Sequence, residues 1–369
     1  MRQSLALLLG WMSLLGAGLA ASAQQPPPTP KEESQEGFRL RVAVEVVNVP
    51  LVVRDRNGEF VYDLSRDDIT LYDNAVPQQL ATFELASRPL SVVILLDTSR
   101  RVKPLLERVQ KTGYLFVDYV LGQVGEAAVI TFDSEVTLRQ EFTSEADELV
   151  AAIGKIGPGG PETRLADALE QAVALLVERP EGRRRLIIVV SESLDTGSQV
   201  SLGVPLRQAQ LAGISIYTVG LSMLEAELHR RPEDTPVQRS PYPPGVFPGP
   251  GVPGSVQTPG TQATVAAQGN LLNVIIATVR GVRNAAGTDV LELLAQGTGG
   301  LNFSARGRVA LEDAINLLGQ DVHNQYLLSY RPSNRDEHGF HRIDIQVRRR
   351  GVRIRTRPGY YVGLPPVEP

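Results

Sequence analysis

The chain has 369 residues, a formal charge of −4 and no cysteine. That length supports a sizeable core and two domains, and the nearly balanced charge gives no electrostatic footprint for nucleic acid or an anionic membrane surface. Without cysteine, disulfides, thiolate metal sites and cysteine nucleophiles are excluded.

Arg2 precedes the apolar stretch Leu5 to Leu19, and Ala21-Ser22-Ala23 offers small residues where a signal peptidase reads. Residues 1–23 therefore read as a signal peptide, and the protein is expected to be exported, to a periplasm or beyond. An uncleaved anchor is the alternative, because the apolar stretch is only slightly short of a membrane span. Missing cysteine excludes a lipoprotein. Residues 24–36, with Pro26, Pro27 and Pro28, are a polar linker with nothing to bury.

From Phe38 the apolar residues alternate: Leu40, Val42, Val44 and Val46, then, after a slip of phase, Val49, Leu51 and Val53. Asn57-Gly58 is a hairpin signal, since both residues tolerate positive φ. Short strands follow at Phe60 to Tyr62, Ile69 to Tyr72 and Leu80 to Phe83. The segment 37–88 is thus all-β and small for an independent fold.

At Ser91 the pattern changes to strand, helix, strand. Ser91 to Ser99 reads SVVILLDTS, a continuous aliphatic run of the kind a strand buried on both faces requires. Val102 to Leu121 has helical spacing, Ala127 to Phe132 is a second buried strand, and Glu135 to Phe142 an edge strand. Helices are predicted at Ser144 to Ile156, Thr163 to Val177 and Leu202 to Leu211, and buried strands at Arg185 to Val190 and Ile214 to Val219. This alternation predicts an α/β, doubly wound, mostly parallel sheet with helices on both faces.

Residues 231–263 are rich in Pro and Gly and read as a solvated insertion; a strip for a polyproline-binding partner is the sharper alternative. Helical spacing returns at Leu271 to Val279, Val290 to Ala295 and Val309 to Leu318, with a short strand at Leu301 to Phe303. Residues 325–363 are β-like again, at Tyr326 to Tyr330, Phe340 to Val347 and Val352 to Arg357. The economical arrangement is a small β-sandwich built jointly by 37–88 and 325–363, with the α/β domain 89–324 inserted into it; two separate small sheets are the alternative.

Three loops could carry chemistry, each at a strand end where open α/β sheets bind ligands. They are Asp97-Thr98-Ser99-Arg100-Arg101, Gly159-Gly160-Pro161-Glu162-Thr163-Arg164-Leu165, and Ser191-Glu192-Ser193. His338-Gly-Phe-His341 reads as a hairpin turn more readily than as a metal pair. The arginines at 348, 349, 350, 353, 355 and 357 read as a solvated, aggregation-resistant edge, or as a surface for an acidic polymer. No nucleophile elbow, phosphate loop or dinucleotide fingerprint is present, so no enzyme is expected.

Together the three loops resemble the von Willebrand factor A (VWA) domain, over Leu90 to about Gln325. The resemblance implies a metal-ion-dependent adhesion site, with Asp97, Ser99, Thr163 and Glu192 around Mg²⁺ or Mn²⁺. A hard cation of this kind takes about six oxygens and is bridged by an acidic residue of a partner protein. Arg101 stands where the family has a second serine, and Glu192 where it has Asp. A guanidinium about 5 Å from a divalent ion repels it by roughly 6 kcal/mol at a dielectric near 20. Three outcomes stay open: a metal site with Arg101 turned away, a metal-free site in which Arg101 pairs with Asp97 or Glu192 and meets an acidic partner, and a degenerate site with no ligand. Arg101, Glu162 and Ser193 are the expected partner-binding residues. A scaffold whose sandwich does the binding is the competing function. The flanks, from Val52 to Phe83 and from Tyr326 to Tyr361, resemble exported VWA-related proteins frequent in Acidobacteria.

Overall fold

The computed structural model describes residues 46–85, 88–122, 124–192, 195–221, 289–303, 311–334 and 337–362. The signal peptide, the linker, the alternation before Val46, the Pro/Gly insertion and the helix at Leu271 to Val279 lie outside them.

Strand β5 (Leu90–Asp97) is buried at every position. It sits in the middle of a five-stranded sheet, between β6 (Glu126–Phe132) and β8 (Arg184–Ser191), and is parallel to both. Strand β9 (Ser215–Gly220) continues in parallel beyond β8, and β7 (Val136–Thr143) closes the other edge antiparallel to β6. The order is β7-β6-β5-β8-β9. Leu301 to Phe303 extends it by one parallel bridge, Asn302 to Thr218.

Alternate residues of β5 face two different cores, as strand geometry requires. Val92, Ile94 and Leu96 pack among α1 (Leu106–Gln110), α2 (Gly113–Leu115), α3 (Ala146–Gly154) and α7 (Leu311–His323). Val93 and Leu95 pack among α4 (Leu165–Val177), α5 (Gly203–Leu211) and α6 (Val290–Thr298). Helices on both faces make the sheet doubly wound, as its alternation predicts. The expected single helix from Val102 to Leu121 is broken instead, with a 3₁₀ turn at Lys103–Leu105 and a π-helix at Phe116–Leu121 flanking α1 and α2. Thr112 spends its hydroxyl on the Val109 carbonyl at 2.7 Å, and Gly113 admits the Val150 backbone so closely that a Cβ would lie 3.0 Å from it.

The remaining strands build two antiparallel sheets. One has the order β12 (Arg353–Thr356), β1 (Val47–Arg54), β10 (Tyr326–Tyr330), β4 (Leu80–Leu85); the other β13 (Gly359–Val362), β11 (Gly339–Val347), β2 (Ile69–Asp73), β3 (Val76–Gln78). Each sheet mixes strands from both ends of the chain, and one apolar core, with Val49, Leu51, Leu71, Leu328 and Ile345, lies between them. This is the shared sandwich. Phe60 makes a single bridge to Arg54 rather than a strand, beside the Asn57-Gly58 turn, where Gly58 has φ 89°.

A buried polar group pins the two sheets. Asp73 of β2 accepts Tyr330 of β10 at 2.7 Å and Tyr360 of β13 at 2.8 Å on one oxygen. Its other oxygen meets His341 Nδ1 at 2.7 Å. His341 is therefore a core residue and not half of a metal pair.

Arg348, Arg349, Arg350 and Arg353 are exposed, as a solvated edge requires, but two members of the basic run correct that expectation. Arg355 donates to the Gly300 carbonyl at 2.8 Å and to Asp321 of α7. Arg357, 3% exposed, donates to the carbonyls of Asn48 at 3.1 Å and Gln210 of α5 at 3.0 Å. These two arginines clamp the sandwich to the parallel sheet, where a fork of donors meets carbonyl groups at strand and helix ends.

Removing the Asp73 carboxylate strands three buried donors at once. Asp73→Ala is expected to cost about 3–5 kcal/mol, and Tyr360→Phe about 1 kcal/mol; urea denaturation of both variants measures it, and a loss below 1 kcal/mol for Asp73→Ala would refute the pin.

Candidate functional site

The carboxyl ends of β5, β6 and β8 meet at one edge of the sheet, where parallel strands stop and loops gather. Asp97 ends β5 and is 1% exposed. Its Oδ1 accepts the Ser99 N–H at 2.8 Å and its Oδ2 the Ser191 hydroxyl at 2.7 Å. Burial pushes the Asp97 carboxyl above its ordinary range, and the bonds from Ser191, Ser99 and the Glu192 N–H oppose that rise. Ser99 Oγ is buried beside the Asp97 carboxylate and, among the described residues, has no partner in good hydrogen-bond geometry.

Asp133, just past the end of β6, holds the first two loops together. It accepts the Thr98 hydroxyl at 2.7 Å and the Gly160 N–H at 3.0 Å. Gly159 donates its N–H to the Thr98 carbonyl at 2.7 Å, and Arg100 donates to the Gly160 carbonyl at 2.8 Å. A Cβ on Gly159 would lie 2.0 Å from Asp133, so only glycine allows this approach. Burial alone would raise the Asp133 carboxyl, but bonds from Gly160, Thr98 and the Glu135 and Ser134 N–H groups outweigh it and hold the group below its usual range. Sequence reasoning missed Asp133. The available signal was its place at the end of a buried strand, the same rule that singled out Asp97.

Thr163 is buried, but its hydroxyl lies 3.2 Å from Thr196 Oγ1, and its N–H donates to the same atom at 3.0 Å. The Thr163 carbonyl accepts the N–H groups of Thr196 and Gly197. Thr163 is thus tied to the loop after β8. Glu192 follows β8, and its Oε2 lies 3.7 Å from Arg101 NH1. The Glu192 side chain is 12% exposed and the Arg101 side chain 54%. Glu162 is exposed and donates its N–H to the Ser134 hydroxyl oxygen at 3.3 Å. Ser193 lies outside the described residues.

The contacts therefore join Asp97, Ser99, Ser191, Glu192 and Arg101 into one group, with Thr163 bound to its neighbour loop. This donor set does not fit a divalent cation as arranged. Both Asp97 oxygens and the Thr163 hydroxyl are engaged by protein groups, and a guanidinium stands beside the remaining carboxylate. Among the described residues no three Asp, Glu or His side chains gather as a metal-holding group.

The raised Asp97 carboxyl has a consequence for stability. Below its folded pKa the native state holds it neutral; as pH rises from about 4, the unfolded chain releases its proton first and native stability falls. Asp97→Asn, which removes that ionisation, is expected to raise the melting temperature at pH 7 by a few degrees and to flatten this slope; a lower melting temperature at pH 7 would show that the ionised form is favoured.

Residues 92–194 match the family model described as the von Willebrand factor type A domain. No curated protein matches the chain. Among solved structures, BatB from Bacteroides thetaiotaomicron is similar at 21% identity, over 36% of this chain and 66% of that one, with a TM-score of 0.32. An aerotolerance-related membrane protein from Bacteroides fragilis is similar at 17% identity, over 63% and 98%, with a TM-score of 0.39. The von Willebrand factor domain of the type V pili tip protein Mfa5 from Porphyromonas gingivalis is similar at 21% identity, over 30% and 39%, with a TM-score of 0.27. The family match runs from within β5 to just past the end of β8 and takes in Asp97, Ser99, Arg101, Asp133, Thr163 and Glu192, so this part of the chain is similar to the von Willebrand factor type A domain.

Proposed function

We propose that the protein is an exported binding module that captures an acidic group of a partner protein at the top of the parallel sheet, with Arg101 as its cation. The observation that carries this reading is the Arg101–Glu192 pair. The guanidinium is half exposed while its carboxylate partner is nearly buried, which leaves donors of the fork directed to solvent. Asp97 and Ser99, close by in the same loop, are buried, and Glu162 of the glycine loop is exposed. A partner carboxylate would complete a bridged Glu–Arg–carboxylate arrangement without desolvating a free charge. The leader over residues 1–23 supports export, and no helix among the described residues is long and apolar enough to cross a membrane.

One observation favours a second reading. Ser99 Oγ is buried without a partner in good hydrogen-bond geometry, and Mg²⁺ or Mn²⁺ would give it one if Arg101 turned to solvent. The scaffold alternative places binding on the sandwich and leaves the sheet top idle.

Capture of exported proteins on immobilised mature chain separates these readings. Retention in excess EDTA, with at least a tenfold loss for Arg101→Glu, is the expected result. Loss in EDTA would favour the metal-bridged form, and equal capture by Arg101→Glu would favour the scaffold.

A further inference from the structure

Away from the sheet top, the sandwich core encloses one imidazole. His341 of β11 is 1% exposed, and both of its ring nitrogens meet oxygen. Nδ1 lies 2.7 Å from Asp73 Oδ1, and Nε2 lies 2.9 Å from the Glu337 carbonyl. A carbonyl oxygen only accepts, so Nε2 has to carry a hydrogen. The Asp73 carboxylate is likewise an acceptor. It takes the Tyr330 and Tyr360 hydroxyls on Oδ2, and the Asn334 amide at 3.4 Å on Oδ1 beside the ring. Nδ1 therefore needs a hydrogen as well. A neutral imidazole has one N–H, which would leave the other nitrogen's lone pair facing an oxygen in the interior.

Charged and titratable groups reach the ring from several elements. Asp73 comes from β2, Tyr330 from β10 and Tyr360 from β13, whose ring centre lies 5.0 Å from that of the imidazole. Arg357 lies over the Tyr360 ring at 5.4 Å, but its fork donates to the Asn48 and Gln210 carbonyls and leaves Asp73 to the histidine. The Glu337 carboxylate accepts the Asn74 and Asn334 amides at 3.0 and 3.3 Å. Arg342, next on β11, is exposed and paired with Asp344. Burial pushes both phenols above their ordinary range, so Tyr330 and Tyr360 stay donors to Asp73 through mildly alkaline pH.

We propose that His341 is held in the folded chain as an imidazolium and serves as a proton-operated latch. Its two N–H groups tie the Glu337 turn to the Asp73 cluster, and loss of one in alkaline surroundings loosens that end of the sandwich. In an unfolded chain a histidine gives up its proton near pH 6.5. The latch contributes fully below that value, and its contribution is lost as pH rises and the folded ring gives up its proton.

The chain has four histidines. Replacing His229, His323 and His338 with Gln leaves a single imidazole, whose ring nitrogens are read by NMR of the full mature chain labelled at histidine. Hydrogens on both nitrogens at about pH 7.5 are expected; a hydrogen on only one overturns the proposal. Urea denaturation of the unmodified chain gives a second reading. Its folded-to-unfolded ratio should fall by up to about tenfold per pH unit above about pH 6.5. His341→Gln, which has no such proton to lose, should lack that fall. An equal fall in His341→Gln overturns the latch; should that variant not fold, the absence of any fall in the unmodified chain overturns it equally.

Discussion

A carboxylate held in the interior at the end of a fully buried strand is the constraint around which the top of this molecule is built. Asp97 cannot reach water, so its oxygens must be met by protein donors. Those donors, the Ser99 N–H and the Ser191 hydroxyl, come from the loop after β5 and the last residue of β8. The position of Asp97 thereby fixes both, and Asp133 extends the same device to the glycine loop through Thr98 and Gly160. Arg101 and Glu192 sit above this lattice as its accessible charged layer.

The other end of the molecule solves a different problem. Strands from both chain ends must close one sandwich, and that sandwich must be held against an inserted domain. Asp73 does the first by drawing a tyrosine from each sheet onto one oxygen. Arg355 and Arg357 do the second by reaching carbonyls of the parallel-sheet domain. Polar groups carry both joints because their directionality sets a single geometry, where apolar surfaces alone would permit sliding.

Much of the fold was legible in the sequence because its signals are local. The aliphatic run of β5 and the alternation of strands with helices both follow from periodicity and burial. Asp97, Ser99, Arg101 and Glu192 were named from the resemblance of the strand-end loops to the family, and the structure links Asp97 to Ser99 and Arg101 to Glu192. Thr163 shows the limit: its place in a loop is readable, but its hydroxyl is taken by Thr196, a contact between loops that no spacing encodes. Asp133 carried the same strand-end signal as Asp97 but was passed over because it lies outside the three loops singled out and a lone acid there also suits a turn. Arg355 and Arg357 were hidden because a long cationic side chain on a short strand looks like an edge, and the carbonyls that bury it come from Asn48, Gln210 and Gly300, far off in the chain. The break within Val102 to Leu121 likewise depends on packing against Val150.

The central claim is that Arg101 supplies the positive charge at the sheet top. Calorimetric titration of the mature protein with Mg²⁺ and Mn²⁺, beside Arg101→Ser, tests it most directly. The account predicts no saturable binding by the unmodified protein and binding gained in Arg101→Ser, where a hydroxyl replaces the guanidinium. Saturable binding of either ion by the unmodified protein would contradict it, because the cation would then be a metal and Arg101 a side chain turned aside to solvent.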